Sequence, residues 1–228
     1  MMKSEGFGMD GERREAFARK LANDFIEAWR DLGARSAPAL GEILERYDEP
    51  GRAYHSLEHL RDCLAWLEAS EGQAERHAEV WLALVYHDVI CAPGAIDNEA
   101  ESAALFRGHA DASGLAVGVR ERIACMIEGT ARHDAREGDA ALVNDIDLAI
   151  LGASPEKFSR YEAAIREEYA QVEERAYRVG RAAVLRSFLE RFAIYQRRYF
   201  AERLEAQARV NLSRALARLE GRDDRGGA

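Results

Sequence analysis

The chain has only three cysteines, Cys63, Cys91 and Cys125, and no CxxC pair among them. That excludes a zinc knuckle and a dithiol redox motif. Cys63 and Cys125 fall on apolar faces and read as small core residues. Lysine is also scarce: Lys3, Lys20 and Lys157 are the whole set, and nearly all positive charge is arginine. With a net charge of −9 and no basic tail, a nucleic-acid backbone is not the expected partner. No apolar run approaches the ~20 residues needed to cross a bilayer, so no membrane partner is expected. The start, Met1-Met2-Lys3-Ser4-Glu5-Gly6, lacks a hydrophobic signal core, and a cytoplasmic location is the expectation. Strand-like alternation is nearly absent as well.

What remains is helical periodicity along a chain that is 47% hydrophobic. Phe17, Leu21, Phe25 and Trp29 recur every four residues and predict a first helix ending near Gly33. Ser36-Ala37-Pro38 opens a second, with Leu40, Ile43, Leu44 and Tyr47 inward, and Pro50-Gly51 breaks it. Ser56 caps a third through Leu67. A fourth runs from about Ala74 to Ile90, and Asp97 caps a fifth. Val119, Ile123, Met126 and Ile127 mark a sixth. Leu142–Leu151 is apolar on both sides and reads as buried. Ser154-Pro155-Glu156 is a strong helix start. The face Phe158, Tyr161, Ile165, Tyr169, Val172 and Ala176 then runs on to an interruption at Gly180. Leu185, Phe188, Leu189, Phe192, Tyr195 and Tyr199 trace a last face that extends towards Leu219. The expected fold class is all-α. The expected organisation is one domain over 10–220, with flexible ends at 1–9 and 221–228.

His87-Asp88 closes the apolar run Val80-Trp81-Leu82-Ala83-Leu84-Val85-Tyr86. Charged and imidazole groups at the end of a buried helix need partners, and a divalent ion satisfies both. His59 from the third helix, His87 and Asp88 from the fourth, and Asp147 from the buried segment supply a mixed nitrogen and carboxylate set. Such a set suits Mn, Fe, Co, Ni or Zn better than Mg or Ca. Asp145 and Asp147 point about 200° apart on a helix. Asp147 is favoured as the ligand because it shares a face with Val143, Ile150 and Leu151. Asp145 is left for a supporting role or a second ion. A second His-Asp pair, His133-Asp134, sits in a polar stretch that reads as a solvated loop. His133 itself, following the sixth helix, reads as a helix-terminal dipole partner or, alternatively, a second-metal ligand. His77 and His109 read as surface residues.

These pieces resemble the HD superfamily of metal-dependent phosphohydrolases, and more closely its bacterial subgroup of predicted metal-dependent HD phosphohydrolases. The matching segments are Tyr54-His55-Ser56-Leu57-Glu58-His59, Tyr86-His87-Asp88-Val89, Asp97-Asn98-Glu99 with Ser102-Ala103, and Asp145-Ile146-Asp147-Leu148-Ala149-Ile150-Leu151-Gly152. Gly180-Arg181 and Ala208-Arg209-Val210-Asn211-Leu212 also fit, so the resemblance covers roughly residues 15 to 215. It implies an HD-type helical bundle with one or two divalent ions (Mn, Fe, Co, Ni, Zn or Mg) on His59, His87, Asp88 and Asp147. An alternative alignment makes His55 the ligand and His59 its neighbour. The implied reaction is hydrolysis of a small phosphate ester or nucleotide by a metal-activated water, with His55 and Glu99 as the catalytic proton-transfer groups. The implied partner is a small phosphorylated molecule, and a homodimer is compatible with the chain. Arg132, Arg136, Arg166, Arg181 and Arg209 are candidate phosphate contacts. Two other readings stay open: an HD-type di-iron oxygenase, and a non-catalytic metal- or nucleotide-binding HD module.

Overall fold

A computed structural model of the chain describes residues 11–221. Among these residues it holds ten α-helices, one 3₁₀ turn and no strand, so the fold class is all-α. The helices are α1 (Gly11–Asp31), α2 (Leu40–Tyr47), α3 (Leu57–Ala69), α4 (His77–Tyr86), α5 (Asn98–Ser113), α6 (Val117–Gly129) and α7 (Gly138–Asp147), then α8 (Pro155–Glu168), α9 (Glu174–Leu189) and α10 (Arg198–Leu219). The 3₁₀ turn is Leu148–Gly152. The ends expected to be flexible lie outside the described residues, apart from Gly221. One domain is the expectation from sequence, yet the backbone packs as two compact units that divide between Asp147 and Leu148. No Gly-, Pro- or Ser-rich linker marks the division, which falls where α7 gives way to the 3₁₀ turn.

The first unit is built around α4. Every residue from Glu79 to Tyr86 is buried, so this helix has no solvent face. Helices α1, α3, α5, α6 and α7 all pack on it. From α1 come Leu21, Phe25, Ala28 and Trp29, one stripe at helical spacing. Phe25, Trp29, Tyr86 and Phe106 make an aromatic cluster with ring centroids 5.1–6.5 Å apart. Each such side chain contributes roughly 1.5–3 kcal/mol by leaving water. The cluster holds the C-terminal end of α4 in place, and that end carries His87 and Asp88. Tyr86 bonds His109 Nδ1 at 2.8 Å, and His109 also pairs with Glu42 at 3.3 Å. His109 is therefore part of the packing and not a surface residue.

Several starts follow the sequence. Ser56 accepts from the Glu58 N–H at the head of α3, and Ser154 accepts from the Lys157 N–H at the head of α8. Asp97 occupies the cap position of α5 but makes no side-chain cap bond. There the neighbour Asn98 folds the loop back, exchanging two bonds with the Ala92 backbone. Cys125 is exposed and not a core residue.

In the second unit the helix breaks differ from expectation. The face from Phe158 to Ala176 is not continuous: α8 stops at Glu168, and α9 starts at Glu174. Arg166 donates to the carbonyls of Tyr169 and Val172, and Glu173 caps α9 at the Ala176 N–H. Arg166 pairs with Glu174 across this turn. Gly180 interrupts nothing and lies inside α9. The last face is broken too, between Leu189 and Arg198. Phe192 there is fully exposed instead of inward. Glu205 accepts from the Ile194 and Tyr195 N–H groups, while Arg209 donates to the carbonyls of Leu189, Arg191 and Phe192.

Candidate metal centre

The first unit brings His59, His87, Asp88 and Asp147 to one point. His59 is the third residue of α3, in the first turn that Ser56 caps. His87 is the C-cap residue of α4, and Asp88 follows it directly. Asp147 ends α7. Among the described residues, the His59 and His87 Nε2 atoms stand 3.2 Å apart. Asp88 Oδ2 is 3.3 Å from His59 Nε2 and 3.0 Å from His87 Nε2. Asp147 Oδ1 is 3.1 Å and 3.5 Å from the same two atoms.

These separations match the edges of a coordination shell. Donors about 2.1 Å from one ion stand about 3.0 Å apart in an octahedron and about 3.4 Å apart in a tetrahedron. The hydrogen-bonding pattern points the same way. His87 Nδ1 lies 2.8 Å from the Leu84 carbonyl, which can only accept, so Nδ1 carries the proton. In the neutral ring Nε2 then presents a lone pair to the cluster. Asp88 Oδ2 is buried and, beyond its contacts with the two imidazoles, has no hydrogen-bond partner. A buried carboxylate oxygen without a bond costs on the order of 1–3 kcal/mol, and a cation would supply its partner. Two imidazole nitrogens and two carboxylate oxygens, one of them orphaned, therefore fit a divalent ion. The imidazoles are buried and the carboxylate side chains are 17% exposed, so the cluster reaches solvent on its carboxylate side.

The electrostatics without an ion show the strain of this arrangement. Burial pulls the His59 imidazole down, but Cys63, Tyr54 and the two carboxylates together hold it well above the usual histidine value. Burial likewise opposes the His87 charge, and Asp88 and Asp147 outweigh it. Asp88 and Asp147 lie well below the usual carboxylate range. Burial there favours the neutral acid and the neighbouring histidines prevail.

The paired aspartates separate, though not for the reason read from sequence. Asp145 is the more deeply buried, at 1% exposure. Asp147 faces the histidines because it closes the last turn of α7 at the edge of the unit. His55 sits just outside α3, before the Ser56 cap. Its ring centroid is still 6.0 Å from that of His59, and its charge is among those that hold Asp88 ionised. The loop after Asp88 does fold back, with the Ser102 hydroxyl accepting from the Ile90 N–H at 3.0 Å. Glu99, half-buried in the first turn of α5, makes no hydrogen bond or ion pair with the cluster among the described residues.

Three further residues stand at the site. His133 Nε2 lies 2.7 Å from Asp147 Oδ2, so His133 is more than a dipole partner. Arg52, with a buried side chain, donates to the carbonyls of His55, Asp88 and Val89 and pairs with Glu49. It ties the His55 segment to the His87-Asp88 segment. Cys63 joins His59, His87 and Asp147 in a group whose ligand atoms all lie within 4.8 Å. Its sulfur is nearly equidistant from the two His59 ring nitrogens, at 3.6 and 3.8 Å. A sulfur 3.6 Å from His59 Nε2 is at the spacing of two donors on one tetrahedral ion, so Cys63 is a further candidate ligand beside Asp88. The arginines proposed for phosphate are mostly engaged elsewhere. Arg166 and Arg209 hold the turns described above, and Arg181 pairs with Glu162 and donates to the Tyr161 hydroxyl at 2.9 Å. Arg132 and Arg136 lie exposed on the loop that carries His133. No helix among the described residues is long and apolar enough to cross a membrane.

No family model, no curated protein and no solved structure matches the chain.

Proposed function

We propose that this chain is a metal-dependent phosphohydrolase acting on a small phosphate ester or nucleotide. The observation that carries the metal centre is the convergence of His59, His87, Asp88 and Asp147 around an orphaned carboxylate oxygen. The reaction class rests on the resemblance to the HD superfamily, in which these four positions are the ligands. A divalent ion bound there supplies a Lewis acid and lowers the pKa of water, as in-line attack on phosphorus requires. The chain's own residues then do the rest. His87 is fixed by Leu84 and holds its Nε2 towards the ion. Arg52 fixes the backbone of Asp88 and of His55. His55, outside the helix and beside His59, is the nearer proton-transfer group, and Glu99 is the more distant one. The carboxylate side chains, partly exposed while the imidazoles are buried, mark the side from which a phosphorylated molecule would approach.

The test is a panel of phosphate monoesters, diesters and nucleotides with Mn, Co, Fe and Zn added in turn to metal-stripped protein. Hydrolysis that appears with one of these ions and vanishes in Asp88→Asn is the expected result. In His55→Ala, turnover should fall about 10²–10⁴-fold with the ion retained. If metal-loaded protein cleaves nothing on the panel, the hydrolase reading fails. Oxygen consumption by the iron form would put an oxygenase in its place.

A further inference from the structure

Resting on the metal-centre reading above, we infer that His133 is a positioning residue for Asp147. It holds one carboxylate oxygen so that the other alone faces the ion. Asp147 divides its two oxygens cleanly: Oδ1 is 3.1 and 3.5 Å from the two Nε2 atoms of the cluster, and Oδ2 is 2.7 Å from His133 Nε2. The distances favour one of two roles for His133. Two ligands of one ion at about 2.1 Å stand about 3.0 Å apart in an octahedron, and the histidine–histidine and histidine–aspartate separations of the cluster keep that spacing. The 2.7 Å contact is shorter and is a hydrogen bond from Nε2–H to a carboxylate. His133 is thus a donor to Asp147 and not a fifth ligand beside it.

The backbone supports a dedicated role. His133 has φ +47°, the sole non-glycine residue with positive φ among those described. Its N–H closes onto the Gly129 carbonyl at 3.1 Å, wrapping the chain around the end of α6. Glycine is the residue this left-handed position favours on conformational grounds. A histidine there trades local ease for an imidazole that reaches Asp147 across the loop from 130 to 137.

That trade gives the experiment. His133→Gly suits the backbone and removes the donor. His133→Asn also tolerates the left-handed conformation and keeps an N–H donor. Full-length protein is loaded with Co(II), and three quantities are read: the equivalents bound, the affinity by chelator competition, and the melting temperature without metal. The expected result is that His133→Gly binds the same number of equivalents and melts within a few degrees of the parent, because relief of the left-handed backbone offsets part of the lost hydrogen bond. Its affinity should be about 10- to 100-fold weaker, the usual loss when a ligand's hydrogen-bond partner is removed. His133→Asn should recover part of that loss. Parent-like affinity in His133→Gly overturns the inference, and so does the loss of one whole equivalent, which would make His133 a ligand. A parent protein that binds no cobalt overturns the metal centre itself, and with it this inference. That outcome is told apart from the others without any variant.

Discussion

At the scale of single residues, the four-residue cluster depends on groups that stand behind it. Arg52 is the clearest. Its guanidinium satisfies three backbone carbonyls on two segments, at 2.6, 2.9 and 3.2 Å. Arg52→Ala should destabilise the protein by about 3 kcal/mol, since buried carbonyls lose charged donors, and should weaken metal binding in parallel. Urea unfolding and metal titration on the same variant check this. Arg52→Lys should rescue little, because a single ammonium cannot span the fork of contacts. Parent-like stability in the lysine variant would contradict that account. The four central donors were legible in the sequence because a His-Asp pair ending an apolar helix has few harmless explanations. Arg52, Cys63 and the contact of His133 with Asp147 were not. Arg52 is one arginine in a chain where arginine supplies nearly all the positive charge, and its carbonyl partners carry no side-chain signature. His133 stands in a polar stretch, and only the left-handed turn after α6 carries it to Asp147. Cys63 had the right spacing from His59, four residues along one helix face, but an apolar neighbourhood made it read as core.

At the scale of elements, local rules placed the helices and tertiary contacts ended them. Ser56 and Ser154 are starts that a cap residue announces. The breaks after Glu168 and Leu189 depend on Arg166, Arg209 and Glu205 reaching main-chain groups up to 20 residues away. Apolar periodicity runs through both breaks unaltered, so no local signal marked them. Within the second unit, a close approach between Gly152 and α10 gives a sharp expectation. A Cβ on Gly152 would lie 2.6 Å from Leu204 Cβ and 2.9 Å from the Leu204 carbonyl oxygen. Backbone cannot swing aside as a long side chain can, so Gly152→Ala should cost about 1–3 kcal/mol. Asn211 serves the same junction, donating to the carbonyls of Leu151 and Ala153 at 2.8 and 2.9 Å. Asn211→Ala should lose about 1–3 kcal/mol by leaving those acceptors bare. Thermal unfolding of the two variants checks both figures, and a melting temperature unchanged in Gly152→Ala would contradict the close approach.

At the scale of the whole molecule, an acidic all-α chain gathers its chemistry at one point in its first unit, where two buried imidazoles meet two carboxylates. Metal binding should therefore be coupled to protons with a definite sign. His59 and His87 are held above the usual value near 6.5, so they keep protons as the pH rises past it. A metal must displace those protons, and affinity should climb with pH between about 6 and 8. Asp88 and Asp147 are already ionised there and release none. Calorimetric titration in buffers of different ionisation enthalpy reads the protons directly. Binding without proton release across that range would contradict the histidine assignment. The most direct test of the central claim is an anomalous-difference map from crystals grown with Mn(II) or Zn(II), recorded on both sides of the metal's absorption edge. The account predicts a peak about 2.0–2.2 Å from His59 Nε2, His87 Nε2 and one oxygen each of Asp88 and Asp147. A map with no peak among these four residues, or with its only strong peak elsewhere on the chain, would contradict it.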